Sequence, residues 1–372
     1  MSRRVAHVLS RAWAAGHASR FRAAAGAIPL VLAVTLTACS GSSDATASST
    51  SSAPAELRLG YFANLTHAAA LIGVDKGYFT DQLGGTKLTT QVFNAGPDEV
   101  EALFAGGLDA AYIGPSPTIN AYGQSNGDAI RIIAGAASGG AELVVRGGIN
   151  SPADLKGKTL ASPQLGNTQD VALRTWLTSQ GLKNSVTGGG DVTVAPTANS
   201  DIPNLFDAGH LDGAWVPEPY ASQLVLQHGG HVLVDEKDLW PGGQFVTTQL
   251  IVRTDFLKQH PDTVAELLKA HIQAVQLAQS DPQAAAQAAN NELTASGGKA
   301  LPQDVLDRAW GELTLTWDPI ASALKQSAEN GVAAGTTQNQ VDLTGIYDLT
   351  PLNTILKSQN LQPVSAGGLG TE

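Results

Sequence analysis

Ala105-Gly106-Gly107-Leu108-Asp109-Ala110-Ala111-Tyr112-Ile113 returns 103 residues later as Ala208-Gly209-His210-Leu211-Asp212-Gly213-Ala214-Trp215-Val216. In each copy a helix pattern runs out at a glycine and a Leu-Asp turn follows. A short strand pattern then ends in a proline loop, Gly114-Pro115-Ser116-Pro117 or Pro217-Glu218-Pro219. Each loop opens another helix. The echo predicts two lobes of one topology in a single chain. Open α/β sheets bind ligands beyond the carboxyl ends of their strands, so two facing lobes would enclose a ligand in a cleft.

Outward from the echo, strand and helix patterns alternate. Residues 57–62, 91–93, 110–113 and 130–134 read as strands, with helices over 66–79 and 97–104. Asp98, Glu99 and Glu101 lie early in the second helix, where its dipole favours acids. The pattern repeats with strands at 158–161, 192–195, 214–216 and 232–234, and helices at 168–180, 202–208 and 219–227. One more strand, 245–252, follows Trp240-Pro241-Gly242-Gly243. Beyond it the chain reads as helical. Val264, Leu267, Leu268, Ile272 and Val275 form a helical stripe within 261–277, and 282–291 is rich in Ala and Gln. This alternation predicts an α/β fold of βαβ units with a largely parallel sheet.

The composition fits. The chain has 372 residues, 43% hydrophobic and 15% charged, the length of two ordinary domains with apolar content for a core. The net charge of −11 argues against nucleic acid as a partner, because phosphate affinity needs clustered Lys and Arg. The one cysteine, Cys39, excludes an internal disulfide and a Cys-pair zinc site. Charge is unevenly placed. Residues 1–38 hold Arg3, Arg4, Arg11, Arg20 and Arg22 and no acid, and end in an apolar stretch over 27–38. A basic region before a short apolar region is the pattern of an export signal, too short for a membrane span. Without those five arginines the charge falls from −11 to −16. Leu36-Thr37-Ala38-Cys39 resembles the bacterial lipobox, which implies acylation of Cys39, palmitate included. The alternative is an ordinary signal peptide with a chance cysteine. The small, polar run 39–55 is a flexible tether. Two or more acyl chains would hold the globule stably on a membrane.

The loops that follow strands supply the candidate binding residues. In the first lobe these are Tyr61, Asn64, Thr66 and His67, then Ser116, then Ser138 and Gly139. In the second they are Gly166, Asn167, Thr168 and Gln169, then Trp215 and Glu218. Asn167 is a preferred helix cap, and Asp170 follows at the spacing of a capping box. The free N–H groups and dipole of such a helix start make an anion site. The plainer role for Asn167 and Thr168 is capping alone. No Lys or Arg occurs in these loops before Arg174, while Glu142, Asp170 and Glu218 do. Neutral dipoles can hold an anion without a full charge. Glu218, between two prolines, would pair with a ligand ammonium or make a hydrogen bond that stabilises its lobe. Tyr61, Tyr112 and Trp215 offer stacking faces for a heterocycle, and Trp215 reads equally well as core. His67 would donate to an anion or serve the structure. His228-Gly229-Gly230-His231 reads as a turn, with no acid before Asp235 to complete a metal site. No metal or cofactor is expected.

Ala161-Ser162-Pro163-Gln164-Leu165-Gly166-Asn167-Thr168-Gln169-Asp170-Val171-Ala172-Leu173-Arg174 resembles the ABC-transporter substrate-binding lipoproteins of the aliphatic sulfonate, nitrate and taurine type. So do Ala214-Trp215-Val216-Pro217-Glu218-Pro219-Tyr220-Ala221 and Asp75-Lys76-Gly77-Tyr78-Phe79. Thr316-Trp317-Asp318-Pro319 and Tyr347-Asp348-Leu349-Thr350-Pro351-Leu352-Asn353 extend the resemblance over residues 56–360. It implies a two-lobed periplasmic-binding-protein fold of type II, the venus-flytrap. Residues 56–141 and 244–360 would form lobe 1 and 142–243 lobe 2, with crossings near 141–144 and 242–245. The helical C-terminal region would return to lobe 1, leaving 361–372 as a tail. The resemblance also implies a monomeric, extracytoplasmic receptor. It would capture a small organic anion or zwitterion, an aliphatic sulfonate or taurine-like compound, and deliver it to a membrane permease driven by an ATPase. Nitrate and vitamin-precursor heterocycles are the alternative ligands. Nitrate binders of this type use more cationic contacts than these loops offer.

Enzymatic readings fare poorly. Thiamine-precursor synthesis enzymes of the same fold need a catalytic His and a Cys-rich segment, and the one cysteine here lies in the export signal. The Ser-x-x-Ser and Ser-Pro patterns have no Gly-x-Ser-x-Gly elbow around them, and no Walker loop or dinucleotide fingerprint is present. A binding protein rather than an enzyme is expected.

Overall fold

The computed structural model describes residues 56–372. The export signal, Cys39 and the tether lie outside the described residues. The strands are β1 (Glu56–Phe62), β2 (Lys87–Phe93), β3 (Ala110–Ile113), β4 (Ile130–Gly139), β5 (Ala141–Val145), β6 (Thr159–Ser162), β7 (Thr193–Pro196), β8 (Gly213–Pro217), β9 (His231–Asp235), β10 (Val246–Arg253), β11 (Leu313–Leu315), β12 (Tyr347–Asp348) and β13 (Gly370–Thr371). The helices are α1 (Ala68–Asp75), α2 (Tyr78–Leu83), α3 (Gly96–Phe104), α4 (Pro115–Gln124), α5 (Thr168–Ser179), α6 (Ile202–Asp207), α7 (Tyr220–Gln227), α8 (Thr254–Gln259), α9 (Pro261–Ser280), α10 (Pro282–Ala295), α11 (Gln303–Gly311), α12 (Ala321–Ala333) and α13 (Thr350–Ser358).

Two sheets result. The first runs β13-β12-β4-β10-β3-β1-β2 with β11 beside β4, and the second runs β7-β6-β8-β5-β9. The Leu-Asp echo occupies equivalent places in them. β3 lies parallel beside β1, and β8 lies parallel beside β6. Asp109 accepts from the backbone N–H of Arg58 at 2.9 Å, and Asp212 accepts from that of Thr159 at 2.9 Å. In both copies the aspartate pins the start of the neighbouring central strand, which is why the motif recurs.

The sheets are mixed, not largely parallel. β10 is antiparallel to β3 and β4, and β5 is antiparallel to β8 and β9. Each is the first strand after the chain crosses between sheets. It enters from the cleft side, opposite to strands delivered by a crossover helix. The first crossing falls earlier than expected, at Gly139 and Gly140, because β4 runs on through residues expected to form a cleft loop. Both glycines have positive φ, at 78° and 72°, and a Cβ on Gly139 would lie 2.5 Å from the carbonyl oxygen of Glu312. Only glycine fits that turn without strain. The second crossing runs from β9 to β10 through two short 3-10 turns, Glu236–Leu239 and Pro241–Gly243. The expected tail is folded at its end, where β13 pairs with β12.

The first core joins Leu57, Leu59, Ile132, Ile133 and Leu250 to Leu267, Leu268 and Ile272 of α9. β3, β4 and β10 are buried almost throughout, since helices cover both faces of the sheet. In the second sheet Leu143, Leu160, Leu173, Trp176 and Trp215 pack on one side, and Val144, Phe206, Val216 and Leu224 on the other. No helix among the described residues is long and apolar enough to cross a membrane.

Candidate functional site

A small polar cavity lies where the two sheets face each other. Its wall comes from strand-following loops of both. Phe62, Asn64, Thr66 and His67 follow β1, and Gly114 follows β3. Asn167, Thr168 and Gln169 open α5, Asn199 and Pro217 come from the second sheet's loops, and Thr247 comes from β10. The halves touch around it. Leu65 N–H donates to the Glu218 carbonyl at 3.0 Å, and Gln164 Nε2 to Asp98 Oδ1 at 2.9 Å. Gly114 packs tightly against Thr168, where a Cβ on the glycine would lie 2.1 Å from Thr168 Oγ1.

No Lys, Arg, Asp or Glu lines the cavity. His67 is also uncharged: complete burial lowers its pKa to about 3. Its Nδ1 accepts from Phe62 N–H at 3.2 Å, which assigns the proton of the neutral ring to Nε2. Asn64 is committed locally, accepting from Thr66 N–H at 3.0 Å and Thr66 Oγ1 at 2.7 Å. Thr168 Oγ1 and Asn199 Oδ1, by contrast, are buried without a partner. The first-turn N–H groups of α5, from Thr168 to Asp170, have no acceptor within their own helix. The start of α4 is poorer in donors, because Pro115 and Pro117 carry no N–H.

The capping box expected at α5 is absent. Asn167 makes no side-chain cap; its Oδ1 accepts from Gly96 N–H across the cleft at 3.4 Å. Asp170 accepts from Gly166 N–H at 3.0 Å and Ser162 Oγ at 2.7 Å, and pairs with buried Arg174 at 3.0 Å. Tertiary partners outcompete the local cap. The effect is to hold the α5 start rigid while leaving its N–H groups facing the cavity wall.

Asn64, Thr66, His67, Asn167, Thr168 and Gln169 therefore come together as expected, and seven other candidates do not join them. Tyr61 points into the core and donates to Glu292 at 2.9 Å. Ser116 lines a neighbouring cavity. Ser138 and Gly139 belong to the first crossing, where Ser138 Oγ accepts from Phe245 N–H and the Gly139 carbonyl from Thr247 Oγ1. Gly166 faces an outer groove beside Leu165. Trp215 is fully buried against Trp176 and donates to Glu236 at 2.8 Å.

Glu218 is spoken for within the protein. Its Oε1 takes Arg308 Nη1 at 2.8 Å and its Oε2 takes Ser222 N–H at 3.0 Å. Burial, then the nearby Glu142, raises its pKa to about 7. Arg308 also donates to both oxygens of Glu142, at 3.0 and 2.8 Å. It thereby ties α11 to the first strand of the second sheet. Glu142, Asp235 and Glu312 cluster nearby, with Lys237 bridging Asp235 and Glu312, so two protein cations already occupy that acidic group. Arg308, Asn199 and Thr247 carried no motif in the sequence; only tertiary proximity identifies them.

The profile of the NMT1-like family matches residues 50–292, more than half of the chain. The chain belongs to the NMT1-like family. A relative in Bacillus subtilis (strain 168), named "Putative aliphatic sulfonates-binding protein", is 28% identical to this NMT1-like chain over 321 residues, covering 84% of it and 90% of the relative. The taurine-binding periplasmic protein of Escherichia coli (strain K12) is 29% identical over 195 residues, 52% of this chain and 58% of that one. The alkanesulfonate-binding protein SsuA from Xanthomonas axonopodis pv. citri bound to MOPS superposes with a TM-score of 0.64 at 22% identity, over 78% of this chain and 97% of its own. That likeness establishes the two-lobed α/β fold of periplasmic binding proteins.

Proposed function

We propose that the chain is the solute-capturing component of an ABC importer and holds a small organic anion, an aliphatic sulfonate above all, by its head group at the start of α5. The observation that carries this is the donor set of the cavity. Thr168 Oγ1 is buried and unpartnered, and the free first-turn N–H groups of a 12-residue helix lie beside it. These donors and a helix dipole suit an oxyanion with several acceptor oxygens, and the absence of Lys and Arg from the lining favours a diffuse monoanion over a multiply charged one. Binding rather than turnover fits the same wall. His67 carries its proton on Nε2 and spends Nδ1 on a backbone N–H, so it lacks a free lone pair with which to activate a hydroxyl. The names of the relatives support the same reading. Acylation at Cys39 would tether this monomeric receptor to the outer face of a membrane, beside the permease it serves.

A thermal-shift series on residues 39–372 with 1-propanesulfonate, taurine, nitrate and a pyrimidine vitamin precursor tests the proposal. A sulfonate at 100 times its dissociation constant is expected to add about 2.7 kcal/mol of stability, saturably and without turnover. A shift from the pyrimidine or nitrate alone would sink the sulfonate assignment.

A further inference from the structure

The strands of the two sheets correspond in pairs, and so do the loops that leave them. β2 lies parallel beside β1 as β7 lies parallel beside β6. The loop after β2 leads to Gly96, whose N–H meets Asn167 across the cleft, and the loop after β7 leads to Asn199 on the cavity wall. Two backbone bonds fix the Asn199 loop. Thr197 N–H donates to the Ser162 carbonyl at 2.8 Å, and Asp201 N–H donates to the Ala198 carbonyl at 2.9 Å. Ser162 also donates its hydroxyl to Asp170 at 2.7 Å. One residue at the end of β6 thus braces both the Asn199 loop and the α5 start.

The polar side chains of the wall divide into two groups. Asn64 and Thr66 are bonded to each other, Thr247 donates to the Gly139 carbonyl, and Asn167 accepts from Gly96. Thr168 Oγ1 and Asn199 Oδ1, by contrast, are buried without a partner, in residues that are each 7% exposed. Buried polar atoms are normally paired, so an orphan on a cavity wall is a group kept for what enters the cavity. In Asn199 the orphan is one end of an amide. No bond holds Oδ1, so a half-turn that puts Nδ2 in its place breaks nothing there. The cavity is small and no Lys, Arg, Asp or Glu lines it, so an anion held at the α5 start meets only neutral donors.

We propose that Asn199 is a specificity-determining residue of this site: its amide NH2 donates to the anionic head alongside Thr168, and as an uncharged donor it sets the sign of charge that the cavity accepts. This rests on the head-group reading above. The two donors come from different loops of the second lobe on a shared brace, so they are in place before the ligand arrives and little ordering is lost on binding. The ligand supplies the acceptor that the protein withholds from this amide. An aspartate at the same position has the same shape, no donor when ionised, and a charge of the ligand's own sign.

Calorimetric titration of the full mature chain with 1-propanesulfonate, at pH 5 and pH 8, tests this in the wild type, Asn199→Ala and Asn199→Asp. Asn199→Ala loses a hydrogen bond to a charged group, so affinity is expected to fall roughly tenfold or more at both pH values, while ligand-free melting holds or rises because Oδ1 has no protein partner to lose. Asn199→Asp is expected to bind at least about tenfold more weakly than the wild type at pH 8. That ratio should shrink at pH 5, where a buried carboxyl takes up a proton and regains a donor. His67, the titratable group on the wall itself, stays neutral at both pH values, since burial lowers its pKa to about 3. Asp170 is paired with Arg174 in each protein, and Glu218, next to Pro217 of the wall, has its pKa raised to about 7 in each, so the ratio cancels their titration. Undiminished affinity in either variant at pH 8, or an Asn199→Asp ratio that is equal at the two pH values, would overturn the assignment. So would parallel loss of melting temperature and affinity in Asn199→Ala, which would make Asn199 a structural part of its loop. Failure of the wild type to bind 1-propanesulfonate would overturn the head-group reading itself. If Asn199→Asp does not fold, Asn199→Ala decides the matter.

Discussion

Replacing Arg308 by Met should expose how much of the stability rests on one guanidinium. Arg308 makes four hydrogen bonds, two to Glu142, one to Glu218 and one to Ser222. Its own side chain is 21% exposed, but the carboxylates it serves are 4% and 0% exposed. Met retains the bulk and removes the charge. Glu218 already has its pKa raised from 4.5 to about 7 with Arg308 in place. A carboxyl raised in the folded state is least costly below its unfolded value, and it loses stability as pH rises from about 4.5 through about 7. Without Arg308 both carboxyls shift further, at about 1.4 kcal/mol per pH unit each, until they remain protonated. Removing one partner of a buried pair costs about 3–5 kcal/mol in general, and that range is expected here at pH 8. At pH 5 Glu218 is largely neutral, so the loss should shrink to about 1–2 kcal/mol. Urea denaturation followed by tryptophan fluorescence, at both pH values, measures it. A loss under about 1 kcal/mol at pH 8, or one independent of pH, would mean that Arg308 behaves as an ordinary surface ion pair and that the argument from burial is wrong.

Two further outcomes follow from the cavity. Thr168→Val removes a hydroxyl that has no protein partner, so ligand-free melting should hold or rise while sulfonate affinity falls by roughly tenfold or more. Parallel loss of melting temperature and affinity would instead make Thr168 a structural cap. His67 should remain neutral throughout pH 5–8, because burial lowers its pKa from 6.5 to about 3; its imidazole resonances should not titrate there. The unfolded chain does protonate, so His67 costs stability as pH falls below about 6.5, and an NMR midpoint near that value would refute its burial.

The strand and helix pattern was legible because it is local. Period, capping types and glycine breaks located β1, β3, β8, α3, α5 and α9 within a few residues. The Leu-Asp echo was legible because one carboxylate does the same task twice, pinning Arg58 and Thr159. The start of α5 was also visible, since Asn167, Thr168 and Gln169 announce a helix N-terminus. Its capping was misjudged because Gly96, Ser162 and Arg174 compete for the same side chains from elsewhere.

What the sequence determined alone was therefore the alternation of elements, the twofold plan, the acidic balance of charge and the helix start that lines the cavity. All of these depend on residues within a few positions of one another. The tertiary structure decided which charges remain available. For Glu218 the sequence left a ligand ammonium and a stabilising hydrogen bond both open, and Arg308, 90 residues away, claims it. Glu236 carried no motif, yet its buried carboxyl holds the indole N–H of Trp215, 21 residues away. Whether a carboxylate is a ligand contact or a structural tie depends on what lies within about 3 Å of it in space, and sequence order does not encode that distance.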